Sequence, residues 1–194
     1  MPKIAAATVA EHNEQRRAAL LSAATTLLAE QGIDGVTLGA VGAAAGIARS
    51  TVYQYFDSAP ALIAAVVEDV MPRAGAQLTA AMAEAESPIA RLDAFMDSVL
   101  VTATDPVHRS MRALEDAHLP PECLARVAEL HREQFRPLQA VIVELGAAEP
   151  ELVMRFVLAT VSAASAAILA GAPRDVVLAQ ALQFIHAGIP SPKM

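Results

Sequence analysis

The chain has 194 residues with 14 Lys and Arg against 21 Asp and Glu, a net charge of −7, so the molecule as a whole repels a polyanion and any contact with one must rest on a local patch. Hydrophobic residues make up 55% and aromatics only 4%, with no Trp, and a core of Ala, Leu and Val favours closely packed helices. The single cysteine, Cys123, excludes an internal disulfide and any paired-cysteine metal site, which fits a reducing, cytoplasmic compartment.

Nowhere do β-branched and aromatic residues alternate over a convincing run between turn signals, so the fold class is all-α. Residues 1–12 read as a flexible tail, lacking the longer apolar core and cleavage site of a secretory signal. A first helix over about Asn13 to Gln31 places Leu20, Ala24, Leu27 and Leu28 on one face, and Gly32 follows as a stop. Thr37 is a good N-cap for a short helix carrying Leu38, Val41 and Ala45 inward. Gly46 supplies a tight turn, and a third helix is predicted from about Ala48 to Tyr55. Asp57 and Ser58 can cap the next helix, with Pro60 in its first turn.

Beyond Pro60 the predicted helices lengthen: Pro60 to about Glu86 with a break or kink at Pro72, Pro88 to Thr104, Pro106 to Ala117, Glu122 to Gly146 kinked near Pro137, Pro150 to Ala170, and Pro173 to Ala187. Residues 189–194 read as a frayed tail. The uncharged run between Arg155 and Arg174 approaches the length of a membrane span, but its Thr, Ser, Gly and Pro content reads as a buried helix of a soluble protein, and no membrane partner is expected.

On the third helix Ala48, Val52 and Phe56 recur every four residues and are expected to face the core, which leaves Arg49, Ser50, Tyr53 and Gln54 on the outer face. A short helix, a Gly-containing turn and a second short helix with a polar and aromatic face form a helix-turn-helix, whose second helix enters the DNA major groove. The chemistry suits that task. Arg49 can bind guanine bidentately, Ser50 and Thr51 can donate to bases or phosphates, and tyrosine hydroxyls can bond phosphate oxygens.

The run "TLGAVGAAAGIARSTVYQYFDSAPAL", with its Thr, its Ala-Gly turn, its Thr-hydrophobic-Tyr core and its closing Phe, resembles the N-terminal signature of the tetracycline-repressor (TetR) family. The preceding "AALLSAATTLLAEQGIDGVTL" resembles the family's first helix, and together they cover about Arg16 to Leu62. The resemblance implies a three-helix DNA-binding domain, here 13–59, followed by a larger helical domain, 60–188, that dimerises and binds a small molecule. It implies phosphate contacts for Thr37, Tyr53 and Tyr55, and places Arg49, Ser50, Thr51 and Gln54 near base edges. The chain departs from the family pattern at Ala48, where a small polar cap is usual, and at Ala59, where a Lys is usual. From Met1 to Val70 the cations are Lys3, Arg16, Arg17 and Arg49, against Glu11, Glu14, Glu30, Asp34, Asp57, Glu68 and Asp69. With four charges against seven, phosphate binding is expected to lean on hydroxyls and helix N-termini, and to depend weakly on salt.

In the second domain, Ala159, Ala163, Ala166, Ala167 and Ala170 allow close helix approach beside Leu158, Val161, Ile168 and Leu169. With Val176, Leu178, Leu182 and Ile185 on the following helix they suit a twofold four-helix bundle, a homodimer through about 150–188. Two reading helices about 34 Å apart then match a palindromic operator in double-stranded DNA. For a ligand, Phe95, Met96, Met111, Phe135 and Met154 are candidate apolar lining, with His108, Arg112, Glu115 and His131 to orient a polar end.

Glu115 and His118 form one Glu-x-x-His pair where a di-iron bundle needs two, and there is no phosphate loop, nucleophile elbow or zinc-protease motif. No catalytic residue, metal or cofactor is therefore expected. The sequence reads as a ligand-released transcriptional repressor. The alternative reading is a helical ligand-binding or protein-interaction module without DNA binding.

Overall fold

A computed structural model describes residues 3–102, 105–107 and 120–189 of the chain. Those residues are helical, and no strand occurs among them. The helices are α1 (Lys3–Gln31), α2 (Leu38–Ala45), α3 (Arg49–Val52), α4 (Ala59–Ala83), α5 (Pro88–Val101), α6 (Pro121–Gln134), α7 (Arg136–Glu144), α8 (Pro150–Leu169) and α9 (Arg174–Gly188), with a 3₁₀ turn at Ile33–Gly35. The chain divides into two compact units, Met1–Val70 with Pro106–Ala128, and Met71–Asp105 with Glu129–Met194.

In the first unit α1 packs on α2 and α2 on α3. The expected inward stripe of α1 is buried at Leu20, Ala24, Leu27 and Leu28, and Leu38, Val41, Val52, Phe56 and Leu62 are buried as well. The helix begins at Lys3, ten residues before the expected start. Between Lys3 and Gln31 there is no Gly or Pro, and Ala, Leu, Glu and Gln dominate, so no local signal stops the helix from extending toward the N-terminus. Two caps fall where the sequence places them. The Ala40 amide donates to Thr37 Oγ1 at 3.1 Å, and the Ala61 amide donates to Ser58 Oγ at 3.2 Å.

The two helix prolines act differently. Pro72 lies exposed inside α4, which continues past it; its ring removes the amide that would have bonded to the Glu68 carbonyl and crowds that carbonyl. Pro137, by contrast, separates two helices instead of kinking one. Phe135 stands between α6 and α7 at φ −96° and ψ 3°, and Pro137 lies in the first turn of α7, the position at which a missing amide costs least. The helix expected over Pro106 to Ala117 falls largely outside the described residues.

The second unit is built on Leu92, Phe95, Met96 and Leu100 of α5, Leu138, Val141 and Ile142 of α7, Val157, Val161 and Ala164 of α8, and Ala181 and Ile185 of α9. Surface ion pairs cross from α5 to its neighbours, Arg91 to Glu144 at 2.8 Å and Asp97 to Arg174 at 2.5 Å, and Asp93 Oδ1 lies in hydrogen-bond contact with His186 Nε2 at 2.6 Å. Pairs this exposed contribute about 0–1 kcal/mol each and serve mainly to fix helix register. Helix α8 is the one described helix long and apolar enough to cross a membrane, with mean hydropathy 2.0, yet only 22% of its apolar window is buried. It is therefore not the wholly buried helix that its sequence suggests. Leu152, Phe156 and Leu169 stand exposed on it, and Val176 and Phe184 on α9.

Candidate nucleic-acid interface

The turn between α2 and α3 is made by two glycines with different tasks. Gly46 closes α2 in the left-handed region, φ 67° and ψ 26°, which costs a residue with a Cβ about 1–2 kcal/mol. Its amide bonds Ala43 O at 3.2 Å and the Ile47 amide bonds Gly42 O at 2.8 Å, a Schellman closure that satisfies the last carbonyls of the helix. Gly42 is needed for room. A Cβ there would lie 2.9 Å from the Ile47 carbonyl oxygen and 2.9 Å from Val52 Cγ2, so the bare backbone lets the turn and α3 seat against α2.

Helix α3 is shorter than expected, a single turn from Arg49 to Val52. The chain then tightens: the Gln54 amide bonds Thr51 O and the Tyr55 amide bonds Val52 O, each at 3.0 Å, three-residue spacing that carries the turn on through Tyr55. Ala48 is the N-cap, at φ −57° and ψ 137°, with no side-chain cap. It is exposed, so the expected inward row of Ala48, Val52 and Phe56 reduces to Val52 and Phe56, because a residue just outside the helix does not share its face.

Burial of Val52 and Phe56 orients the rest. Arg49, Ser50, Tyr53 and Gln54 are exposed, as is Thr37 at the start of α2, while Thr51 and Tyr55 are half-buried. Thr37 Oγ1 accepts the capping hydrogen bond, and its own proton remains available to an incoming oxygen. The Arg49 guanidinium lies 5.8 Å above the Tyr53 ring, and its Nη2 donates to Tyr53 Oη at 3.3 Å. That hydrogen bond, and then the charge attraction of the same group, raises the Arg49 pKa above its ordinary value. Tyr55 Oη donates to Asn13 Oδ1 at 3.2 Å, and Arg17 lies 5.8 Å over the Phe56 ring. Sequence reasoning did not anticipate these ties from α1, because residues so far apart in the chain share no local periodicity.

Of the residues predicted to line a ligand pocket, those described gather in or beside the core of the second unit. Phe95 and Met96 are fully buried in the core. Phe95 meets Phe135 edge-on at 6.0 Å, and His131 stacks on Phe135 at 6.2 Å. Met154 packs half-buried against the same core. His108, Met111, Arg112 and Glu115 lie outside the described residues. A cavity of about 160 Å³ in the second unit is lined by Met71, Pro72, Gly75, Leu130, Glu133 and Gln134, none of them among the ligand candidates read from the sequence. Its one legible signal is the pairing of Pro72 with Gly75, three residues apart in one helix. Among the described residues no group of three or more His, Cys, Asp or Glu side chains is placed to hold a metal ion.

A short capped helix, a Schellman turn and a second short segment presenting Arg, Ser, Tyr and Gln outward define a helix-turn-helix protein. Residues 20–66 match the family described as bacterial regulatory proteins, tetR family, so this segment is a domain of that family's type. None of the curated proteins matches the chain. Among solved structures, a TetR-family transcriptional regulator from Streptomyces coelicolor superposes with a TM-score of 0.76 at 20% identity, covering 95% of this chain and 93% of that one. The transcriptional regulator FadR from Bacillus subtilis, solved in complex with stearoyl-CoA, gives 0.73 at 17%, covering 89% and 98%. Superantigen PfiT gives 0.77 at 21%, covering 88% and 96%. At such identities the likeness is one of fold.

Proposed function

We infer that the protein is a homodimeric, sequence-specific DNA-binding transcriptional regulator of the cytoplasm, acting as a repressor that a small-molecule ligand releases. The observation that carries this reading is the outward face of Arg49, Ser50, Tyr53 and Gln54 beside the exposed Thr37, which offers groove-reading and phosphate-bonding chemistry on one surface. Thr37, Arg49, Ser50, Thr51, Gln54 and the two tyrosines are the candidate DNA residues.

The dimer reading is supported by the uncovered apolar side of α8 and α9. Phe156 is 60% exposed and Phe184 69%, with Ala159, Ala163, Ala166 and Ala170 exposed on the same helix or just past its end. Large apolar groups left open on a water-soluble chain mark an interface, and small residues between them admit a second pair of helices. A twofold copy of this face forms a four-helix bundle. The effector is proposed to bind the second unit; an acyl-CoA is the first class to assay, since the FadR neighbour was solved with one. Release requires that the ligand prefer the conformation that fits DNA poorly.

Fluorescence anisotropy on a labelled duplex tests the reading. Arg49→Ala is expected to lose sequence-selective binding while the protein stays dimeric; unchanged selectivity would count against it. The second reading, a helical module without DNA binding, is favoured by one finding: a superantigen has this fold, so the fold alone does not imply transcriptional control.

A further inference from the structure

Arg49 is the only Lys or Arg between Thr37 and Phe56, so the direction of its guanidinium decides what the segment can read. An arginine on a surface helix ordinarily samples many rotamers, and binding a base edge fixes one of them. Here two contacts to the residue four positions on already restrict it. Nη2 donates to Tyr53 Oη at 3.3 Å, and the guanidinium carbon stands 5.8 Å above the Tyr53 ring. The ring is 46% exposed, so the pair sits at the surface where a groove would meet it. One of five N–H donors is spent on the tyrosine oxygen, which leaves enough for the two parallel bonds that guanine O6 and N7 accept.

The other tyrosine is occupied differently. Tyr55 has one hydroxyl proton, and it is given to Asn13 Oδ1 at 3.2 Å. A phosphate oxygen accepts hydrogen bonds and donates none, so Tyr55 reaches phosphate only by releasing Asn13. The Tyr55 proton is therefore engaged inside the protein before any nucleic acid arrives, whereas Tyr53 Oη accepts from Arg49 and keeps its own proton to give.

We propose that Tyr53 is a positioning residue for Arg49, holding the guanidinium so that it reads one guanine in each half-site. This rests on the DNA-binding reading above. It adds a specificity role to the backbone contact that the family resemblance implies for Tyr53. A residue in this role changes the ratio between correct and substituted sites.

The test measures affinity for the duplex that the protein selects from a random pool, and for versions with each base pair substituted singly, across a salt series. Tyr53→Phe keeps the ring and loses the oxygen; the guanine preference at one position is expected to fall about threefold, and about tenfold for Tyr53→Leu. Any phosphate bond lost with the Tyr53 hydroxyl lowers the affinity for every duplex alike and cancels in that ratio, and the salt slope, set by the cations, stays as in the unaltered protein. In an Arg49→Ala background the preference is absent and Tyr53→Phe leaves the ratio unchanged. If Tyr53→Phe leaves the guanine preference intact, whether every affinity falls alike or none changes, the proposal is overturned while the DNA-binding reading stands. If the unaltered protein selects no sequence, the DNA-binding reading fails and this inference with it.

Discussion

Replacing Gly39 and Gly42 in turn by Ala separates helix propensity from packing inside one eight-residue helix. Alanine is preferred to glycine in a helix interior by about 0.5–1 kcal/mol, so on propensity alone both substitutions stabilise. At Gly39 a Cβ would meet nothing within 4 Å, and Gly39→Ala is expected to gain up to about 1 kcal/mol. At Gly42 it would lie 2.9 Å from both the Ile47 carbonyl oxygen and Val52 Cγ2. Neither neighbour can give way easily. The Ile47 backbone is bound to Gly42 O through its amide at 2.8 Å, and Val52 is fully buried. Overpacking of this kind costs about 1–3 kcal/mol, so Gly42→Ala is expected to be neutral to about 2 kcal/mol destabilising. The two variants should therefore differ by about 1–3 kcal/mol. Thermal denaturation followed by helical circular dichroism reads this difference, at about 2–4 °C per kcal/mol for a chain of this size. Gly42→Ala is also expected to displace Arg49 and weaken DNA binding, which Gly39→Ala leaves intact. A Gly42→Ala protein as stable as Gly39→Ala would refute the close approach of turn and helix on which the interface depends.

Thr37→Ala removes the cap of α2 and is expected to cost about 1 kcal/mol in denaturant unfolding, with weaker DNA binding on every sequence, since the hydroxyl proton open to phosphate is lost as well. Phe95→Ala empties the centre of the second unit, where Phe95 is fully buried against Phe135; a loss of about 3–5 kcal/mol is expected from the same measurement. Phe156→Glu places a charge on the uncovered face of α8 and changes little within one chain, about 0.5 kcal/mol or less. Sedimentation equilibrium is expected to show a folded monomer, and a persisting dimer would place the interface elsewhere.

What the sequence disclosed follows from where the physics is local. Thr37 and Gly46 delimit α2 correctly because a threonine hydroxyl reaches an amide three residues on, and glycine accepts the left-handed conformation that ends a helix. The inward face of α1 was legible at Leu20, Ala24, Leu27 and Leu28 because one buried side repeats with the helical period. The start of α1 was not legible: residues 1–12 read as a tail, yet from Lys3 onward no Gly or Pro among them opposes a helix. On helix propensity alone Gly42 is a cost to α2, and its reason lies in residues 47 and 52, which meet it only once the turn has formed.

The ligand residues show the same boundary more sharply. Phe95 and Met96 have the side-chain chemistry of a pocket lining, but that chemistry is equally that of a core, and the structure places both in the core. One cavity forms where Gly75 faces Gln134, the glycine leaving space that an alanine would begin to fill, 3.6 Å from the Gln134 backbone. Only the packing of two helices distant in sequence reveals it. Likewise the Tyr55 bond to Asn13 depends on how the segment after α3 returns to α1, and no spacing rule encodes that.

The central claim is that this weakly basic helix-turn-helix reads DNA, and selection of bound duplexes from a random pool by the purified protein, at low and at moderate salt, tests it most directly. The account predicts a palindrome with half-site centres about ten base pairs apart, enriched at both salt concentrations. Enrichment of no sequence at either salt would contradict it.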